Sequence, residues 1–461
     1  MSERFDKIAR DLFERNLDRF DQPRVPTFDR QPVHVVYGGA DRFNAETPGK
    51  FGRLALASIE SYAPTFAEFA DAMWLKGADT LPRYTDPIRE LEFKLADDPD
   101  DARERFPEAH FAWSVYRRVI QKLESDPVED FRIDFEDGYG FRTDAEEDAH
   151  AKSAAEELSR VTEANLAFRG FRIKSFQKET YARAVRTLGI FLTEYVKRGT
   201  LTNFVVTLPK IARAEEVGTL AALLDAIESE NSIASGSIGI EIMIETPEAV
   251  NNAGSLVAAG RDRVRSAHFG AFDYTASLGV AADHQHLQHD ACRFARQMMQ
   301  NSLAPLGVRI SDSVTTDMPV PIHRGGSLSS KQNSENIKAV RGAWRKHFNN
   351  VTLALVNGFY QGWDLHPAQL PARYAALFAF FLENADAQAA RLRQFVGKAT
   401  KAMLTGNLFD DAASAQGLLN FFIRAASCGA MPLADITQKT DLSQEELRSA
   451  SFARIMENRR S

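Results

Sequence analysis

The 461-residue sequence contains only two cysteines, Cys292 and Cys428, so it can build neither a disulfide framework nor a cysteine-based zinc site. It has no apolar run approaching the roughly 20 residues that a membrane-spanning helix needs. It has no excess of positive charge: 56 Lys and Arg stand against 63 Asp and Glu, a formal net charge of −7. That balance offers no global field to nucleic acid or to an anionic membrane surface. The opening segment MSERFDKIARDLFERNLDRF is charged throughout and lacks the apolar centre of a secretion signal. No Gly-rich dinucleotide turn follows the first β-rich run, which counts against a doubly wound nucleotide-binding sheet. With 44% hydrophobic and 26% charged residues, the chain has material for a large core. The expectation is a cytoplasmic globular enzyme with no nucleic-acid or membrane partner.

Between about 30 and 370, short β-rich runs alternate with longer helical stretches. The runs are VHVVYG (33–38), FRIDFED (131–137), FRIKSF (171–176), FVVTLPK (204–210), IGIEIMIET (238–246), SAHFGAFD (266–273), GVRISD (307–312) and VTLALVNG (351–358). Several are almost uniformly apolar, as strands buried on both faces of a parallel sheet must be. Helical segments at 144–160, 177–198, 212–230 and 331–348 separate them. Eight strands with intervening helices predict an α/β fold, a (β/α)8 TIM barrel over 31–370. A long insert, about 41–130, follows the first strand, with helices near 51–72 and 108–125 around the acidic, turn-prone KLADDPDDARERFPE. Residues 1–30 read as an N-terminal helical extension, amphipathic over 2–20 through Phe5, Ile8, Ala9, Leu12, Phe13 and Leu17. Residues 371–461 read as a C-terminal helical region.

Several strands end in charge. The second ends in Asp134, Glu136 and Asp137; the third carries Arg172 and Lys174; the fourth ends in Lys210, the fifth in Glu245 and the sixth in Asp273. Strand C-termini of a barrel converge on one rim, where active sites lie. Glu245 and Asp273 sit 28 positions apart (273 − 245), about one strand–helix–strand repeat, so both carboxylates can face one cation. Mg²⁺ takes a few carboxylates with waters and substrate oxygens. The competing reading makes such acids helix N-caps or solvated loop residues.

At these residues the sequence resembles the HpcH/HpaI aldolase and citrate-lyase β-subunit superfamily, whose relatives include malyl-CoA lyase and malate synthase. The likeness is carried by FRIDFEDGYG, FRIKSF, TLPKIARAEEV, IEIMIETPEAV, HFGAFDYTASLG and GFYQGWDLHPAQL, in order over roughly 131–370. The resemblance implies Mg²⁺ or Mn²⁺ held by Glu245 and Asp273, with Arg172 facing the oxygen that becomes negative as a keto-acid enolate forms. It implies that Glu136 and Asp137, expected to be catalytic with Arg172, border the metal site; Lys210, Lys174, Gly270 and Ala271 are expected at the substrate, with Lys210 alternatively pairing with Glu215 or Glu216 on the next helix. The chain departs from the family at Lys174, where an Asn is usual, and at Gly38-Gly39, which replaces a Pro-Gly that helps hold coenzyme A. The Gly38-Gly39 replacement, together with the long 41–130 insert, counts against a CoA thioester as substrate, while Lys174 adds positive charge near the rim. Tyr37, Asp41 and Arg42 remain on a loop able to reach the site.

No residue matches the family's varied proton-transfer groups. His366, in WDLHPAQL, is a catalytic candidate or a structural turn. His284, His286 and His289 lie close together, but only 286 and 289 share a helix face, so a loop leading into a helix is favoured over zinc. The function expected is a divalent-metal-dependent carbon–carbon lyase or aldolase acting on a small keto acid, hydroxy acid or aldehyde, and forming a homo-oligomer. The alternatives are malate-synthase-like or malyl-CoA-lyase-like Claisen chemistry with an acyl-CoA, a metal-independent glycoside hydrolase using Glu136 and Glu245, and a non-catalytic barrel.

Overall fold

The computed structural model describes residues 28–404 and 412–459, together with residues 6, 7, 10, 11 and 14. The helix read over 2–20 lies outside the described residues but for those positions. Eight parallel strands close into one barrel in sequence order: β1 (His34–Gly39), β2 (Asp130–Asp134), β3 (Phe168–Arg172), β4 (Phe204–Leu208), β5 (Gly239–Ile244), β6 (Val264–Phe269), β7 (Arg309–Val314) and β8 (Gln361–Asp364), with β8 pairing back to β1. The fold is therefore a (β/α)8 barrel. Its strands are covered on both faces, β2 to β5 being buried at every residue.

The eighth strand is not where the apolar run predicts it. Residues 351–356 form the end of a helix, Ser330–Val356, and the strand is the polar segment QGWD. Val351, Ala354 and Leu355 are buried while Leu353 and Val356 are exposed, so the run repeats with helical period. In QGWD the interior face carries only Gln361 and Trp363, too short a pattern to give a hydrophobic signal. The third strand also lies earlier than the reading of 171–176, which makes Arg172 its last residue, paired in register with Asp134.

The insert after β1 holds α1 (Thr47–Tyr62), α2 (Phe66–Met73), α3 (Thr85–Asp97), α4 (Pro99–Arg105) and α5 (Pro107–Ser125). Its acidic middle, expected as turn, is mostly helical. Asp98 accepts the N–H of Asp101 and Pro99 occupies the first helical turn, two features that start a helix. The barrel helices follow as α6 (Asp144–Ser159), α7 (Tyr181–Tyr195), α8 (Ala214–Glu230), α9 (Pro247–Ala259), the short α10 (Ala271–Ser277), α11 (Asp290–Leu303), α12 (Ser330–Val356) and α13 (Leu370–Leu382). Pro371 lies in the first turn of α13. Beyond it come α14 (Ala385–Leu404), α15 (Ala412–Ser427), α16 (Leu433–Thr440), α17 (Gln444–Arg448) and α18 (Phe452–Asn458).

Two compact units result: Gln31–Ala387, which contains the barrel, and Met1–Arg30 with Gln388–Ser461. Among the described residues no helix is long and apolar enough to cross a membrane.

The barrel axis is polar. Glu241 accepts from Arg132 Nε at 3.2 Å, Thr207 at 2.8 Å, Ser266 at 2.7 Å and Tyr37 Oη at 3.0 Å. Burial opposes its ionisation, but the Arg132 charge, the neighbouring His268 and the hydrogen bonds from Ser266 and Arg132 together outweigh burial and hold its pKa down to about 2. This ion pair gives the strands a fixed floor beneath the rim.

Candidate active site

The rim is organised around Arg172. Its Nε donates to Asp134 Oδ1 at 2.7 Å and its Nη2 to Asp134 Oδ2 at 2.6 Å, a bidentate pair buried to 2% and 0% exposure. Nη1 lies 3.1 Å from Glu136 Oε2. The guanidinium carbon stands 4.9 Å from the Tyr37 ring centroid and 5.6 Å from that of Trp363. Asp134 also accepts the N–H groups of Glu136 at 3.0 Å and Gly138 at 2.7 Å, so the loop after β2 is folded around the same carboxylate that clamps the arginine.

Lys210 joins the acids of this rim. Its Nζ pairs with Glu136 Oε1 and, at 2.9 Å, with Asp137 Oδ1, while its backbone N–H donates to Glu245 Oε1 at 2.5 Å. It does this from a left-handed backbone, φ 53°, a conformation a residue with a side chain rarely adopts. The pairing with Glu215 or Glu216 that chain proximity suggests does not form; Glu216 instead accepts the N–H groups of Ala212 and Arg213 at its own helix start. Burial raises the pKa of Glu136 against the pull of Arg172 and Lys210. Asp137 is less buried, and there desolvation is outweighed by the Lys210 hydrogen bond together with the Arg172 and Lys210 charges, which lower its pKa.

Glu245 follows β5 directly and is 2% exposed. Burial, reinforced by the Asp273 charge, pushes its pKa up to about 8. Asp273 lies exposed in α10, after β6. The two carboxylates thus repel each other at the place where the sequence pairs them. Among the described residues no group of three or more His, Cys, Asp or Glu side chains forms a metal cage. A pair of carboxylates with substrate and water oxygens completing the shell is nevertheless a set that suits Mg²⁺.

The remaining expected residues fall in two groups. Gly270 lies against Glu245: a Cβ there would meet Glu245 Cβ and stand 2.6 Å from its Oε2, so the small residue permits the close approach. The Ala271 N–H is taken by Ser313 Oγ at 3.1 Å. Lys174 turns away from the rim, its Nζ held by Glu147 Oε2 at 2.6 Å and the Phe135 carbonyl at 2.7 Å. His366 caps the turn after β8, its Nδ1 accepting the N–H of Ala368 at 3.1 Å. His289 likewise accepts the N–H of Ala291 at the start of α11. Asp41 and Arg42 tie the β1 loop to the β2 loop, Asp41 through Arg142 at 3.4 Å and Arg42 through the Gly138 carbonyl at 3.3 Å.

Two residues at the rim, His268 and Trp363, escaped the sequence reading, and so did the role of a third, Asp134. Asp134 stood out only as one more strand-end acid, although its pairing register with Arg172 makes it the partner of that arginine. His268 and Trp363 lay inside segments read for their Gly-Asp and His-Pro signatures. The alternation Ser266, His268 along β6 is the signal that faces His268 to the barrel interior.

A family model described as a domain of unknown function, DUF6986, matches residues 23–455. The chain belongs to the DUF6986 family. Among curated proteins none matches it. Among solved structures, a citrate lyase from Burkholderia xenovorans LB400 is 21% identical to this DUF6986 chain, over 71% of this chain and 92% of that one, with a TM-score of 0.50. That likeness shows the barrel fold. CitE from Mycobacterium tuberculosis, solved with magnesium and acetoacetate, is 18% identical over 76% of this chain and 92% of that one, TM-score 0.38. Malate synthase from Haloferax volcanii, in a pyruvate and acetyl-CoA ternary complex, is 16% identical over 53% and 60%, TM-score 0.40.

Proposed function

We propose that this protein is a divalent-metal-dependent carbon–carbon lyase of the aldolase type, making or breaking a bond next to the carbonyl of a small keto acid. The observation that carries the reading is the buried guanidinium of Arg172, fixed by Asp134 and facing the same rim as Glu245. A guanidinium so held costs no reorganisation when negative charge develops beside it, and it cannot lose its proton. Glu245 and Asp273 would hold Mg²⁺ or Mn²⁺, and the raised pKa of Glu245 reflects its burial beside a second carboxylate, a pair whose repulsion a cation would relieve. Such an ion, when bound, supplies Lewis-acid polarisation of a substrate carbonyl. Arg172 then stabilises the enolate oxygen, Lys210 neutralises Glu136 and Asp137, and Gly270 leaves room against Glu245. The HpcH/HpaI motifs in the sequence support the same chemistry.

The glycoside-hydrolase reading is weaker, because both oxygens of Glu136 are held by cations, Arg172 at 3.1 Å and Lys210. The test is Mg²⁺-dependent turnover of 2-keto and hydroxy acids, abolished by EDTA and restored by Mg²⁺, alongside calorimetry of Mg²⁺ binding to Glu245→Ala and Asp273→Ala. Metal affinity unchanged in either variant would sink the site assignment. Acceleration by acyl-CoA would move the reading to Claisen chemistry.

A further inference from the structure

Two aromatic rings, Tyr37 and Trp363, pack against Arg172 at the barrel rim, and His268 packs against both of them. Tyr37 and Trp363 have centroids 4.5 Å apart, and His268 lies 5.7 Å from Tyr37 and 5.1 Å from Trp363, edge-on to both. His268 is wholly buried. Two nitrogens of this cluster, His268 Nε2 and Trp363 Nε1, are buried without a hydrogen-bond partner. Buried polar atoms are almost always paired, so two in one cluster beside a candidate active site call for an explanation.

The protons of the cluster can be counted. Glu241 is a carboxylate and only accepts, so the single hydroxyl proton of Tyr37 goes to it, at 3.0 Å. The Tyr37 oxygen is then an acceptor for His268 Nδ1, 3.3 Å away, which places the ring proton of neutral His268 on Nδ1. Nε2 is left as a bare lone pair. Trp363 Nε1 carries a hydrogen and can only donate. The cluster therefore offers one acceptor and one donor. The charged and titratable groups around His268 are Tyr37 on β1, Arg132 on β2, Arg172 on β3 and Glu241 on β5. Burial, aided by the two arginines and opposed by Glu241, lowers the imidazole pKa to about 4, so the lone pair persists at neutral pH. A carboxylate of the substrate cannot fill this place, since it would set its lone pairs against that of Nε2. A hydroxyl can, because it both donates and accepts.

We propose that His268 and Trp363 form a hydroxyl-reading subsite of the Arg172 site, Nε2 accepting the hydrogen bond of a substrate hydroxyl and Nε1–H donating to the substrate. The proposal rests on the aldolase reading, and it makes His268 a specificity residue for hydroxylated acids. Sites built to bond a hydroxyl reject analogues that lack it strongly, because the protein's own polar atoms are then stranded.

The experiment is calorimetric titration of the Mg²⁺-loaded protein with 4-hydroxy-2-oxobutanoate and with 2-oxobutanoate, which differ by that hydroxyl alone. His268→Asn keeps a donor where Nδ1 stood, facing Tyr37, and removes Nε2; Trp363→Phe keeps the ring and removes Nε1–H. Thermal melts check that each variant folds, and the second variant serves if the first does not. The wild type is expected to prefer the hydroxylated probe by about tenfold or more. Either variant should lose that preference while binding 2-oxobutanoate like the wild type. A preference retained in the variants, or absent from a wild type that binds both probes, overturns the subsite and leaves the aldolase reading standing. A wild type that binds neither probe with Mg²⁺ overturns the aldolase reading, and the subsite with it.

Discussion

Arg172 and Asp134 end adjacent strands in register and meet through two parallel hydrogen bonds, 2.7 and 2.6 Å long, with neither side chain exposed beyond 2%. Removing one partner of a buried pair leaves the other charge uncompensated, at a cost of about 3–5 kcal/mol. Asp134→Ala also releases the N–H groups of Glu136 and Gly138. Urea unfolding of this variant is expected to show a loss in that range; a loss below about 1 kcal/mol, the scale of an exposed ion pair, would contradict the burial of the pair.

Arg172→Lys keeps a positive charge but loses the planar fork that grips both oxygens of Asp134. Mg²⁺ affinity is expected to stay at the wild-type level, since Arg172 is not a metal ligand. Turnover is expected to fall by about 10²-fold or more, as when an oxyanion donor is removed. Wild-type turnover in this variant would take Arg172 out of the mechanism.

Glu245 ties stability and metal binding to pH. Its folded pKa, about 8, lies above the ordinary carboxyl value of 4.5, so between these values the metal-free folded state holds a proton that the unfolded chain has lost. The stability this group contributes is full below about 4.5 and is lost as pH rises through about 8. The melting temperature of the metal-free protein should therefore fall across that window, and saturating Mg²⁺ should flatten the fall. Below about pH 8, Mg²⁺ binding should release a proton, seen as buffer-dependent heat in calorimetry. Glu245→Gln should remove the Glu245 part of the slope. An identical slope in that variant would assign the effect elsewhere.

The barrel was legible in the sequence because parallel strands buried on both faces must be largely apolar, and β4 and β5 are so except at Thr207 and Glu241, which meet on the barrel axis. The same rule misled at the end of the barrel. Val351 to Val356 is apolar on one helix face, whereas β8 lines the interior with Gln361 and carries Trp363 to the rim, which no hydropathy pattern reveals. Arg172, Glu136, Asp137, Lys210 and Glu245 could be drawn to one rim because each ends or follows a strand. What the sequence hid was the direction of each side chain: Lys174, two residues beyond Arg172, turns outward to Glu147, and Asp134, one residue among several acids, is the one that holds the arginine. Contacts between residues 38 positions apart, such as Arg172 and Asp134, depend on barrel register, and register is set only once the strands close.

Lys210 holds Glu245 with its main chain and Glu136 and Asp137 with its side chain, and two substitutions separate the contributions. Its φ of 53° is left-handed, which costs a residue carrying a Cβ roughly 1–2 kcal/mol. Lys210→Ala deletes the ion pairs and keeps that strain; Lys210→Gly deletes both. Glycine also gains more freedom in the unfolded chain, which offsets part of the relief, yet at positive φ the relief is the larger effect. The glycine variant should therefore be more stable than the alanine variant by about 1 kcal/mol in urea unfolding. Both should still bind Mg²⁺, because the N–H that reaches Glu245 at 2.5 Å belongs to the backbone. Equal stabilities would mean that the turn relaxes without its lysine, and that Nζ, by pulling on Glu136 and Asp137, imposes the left-handed conformation that aims the N–H at Glu245.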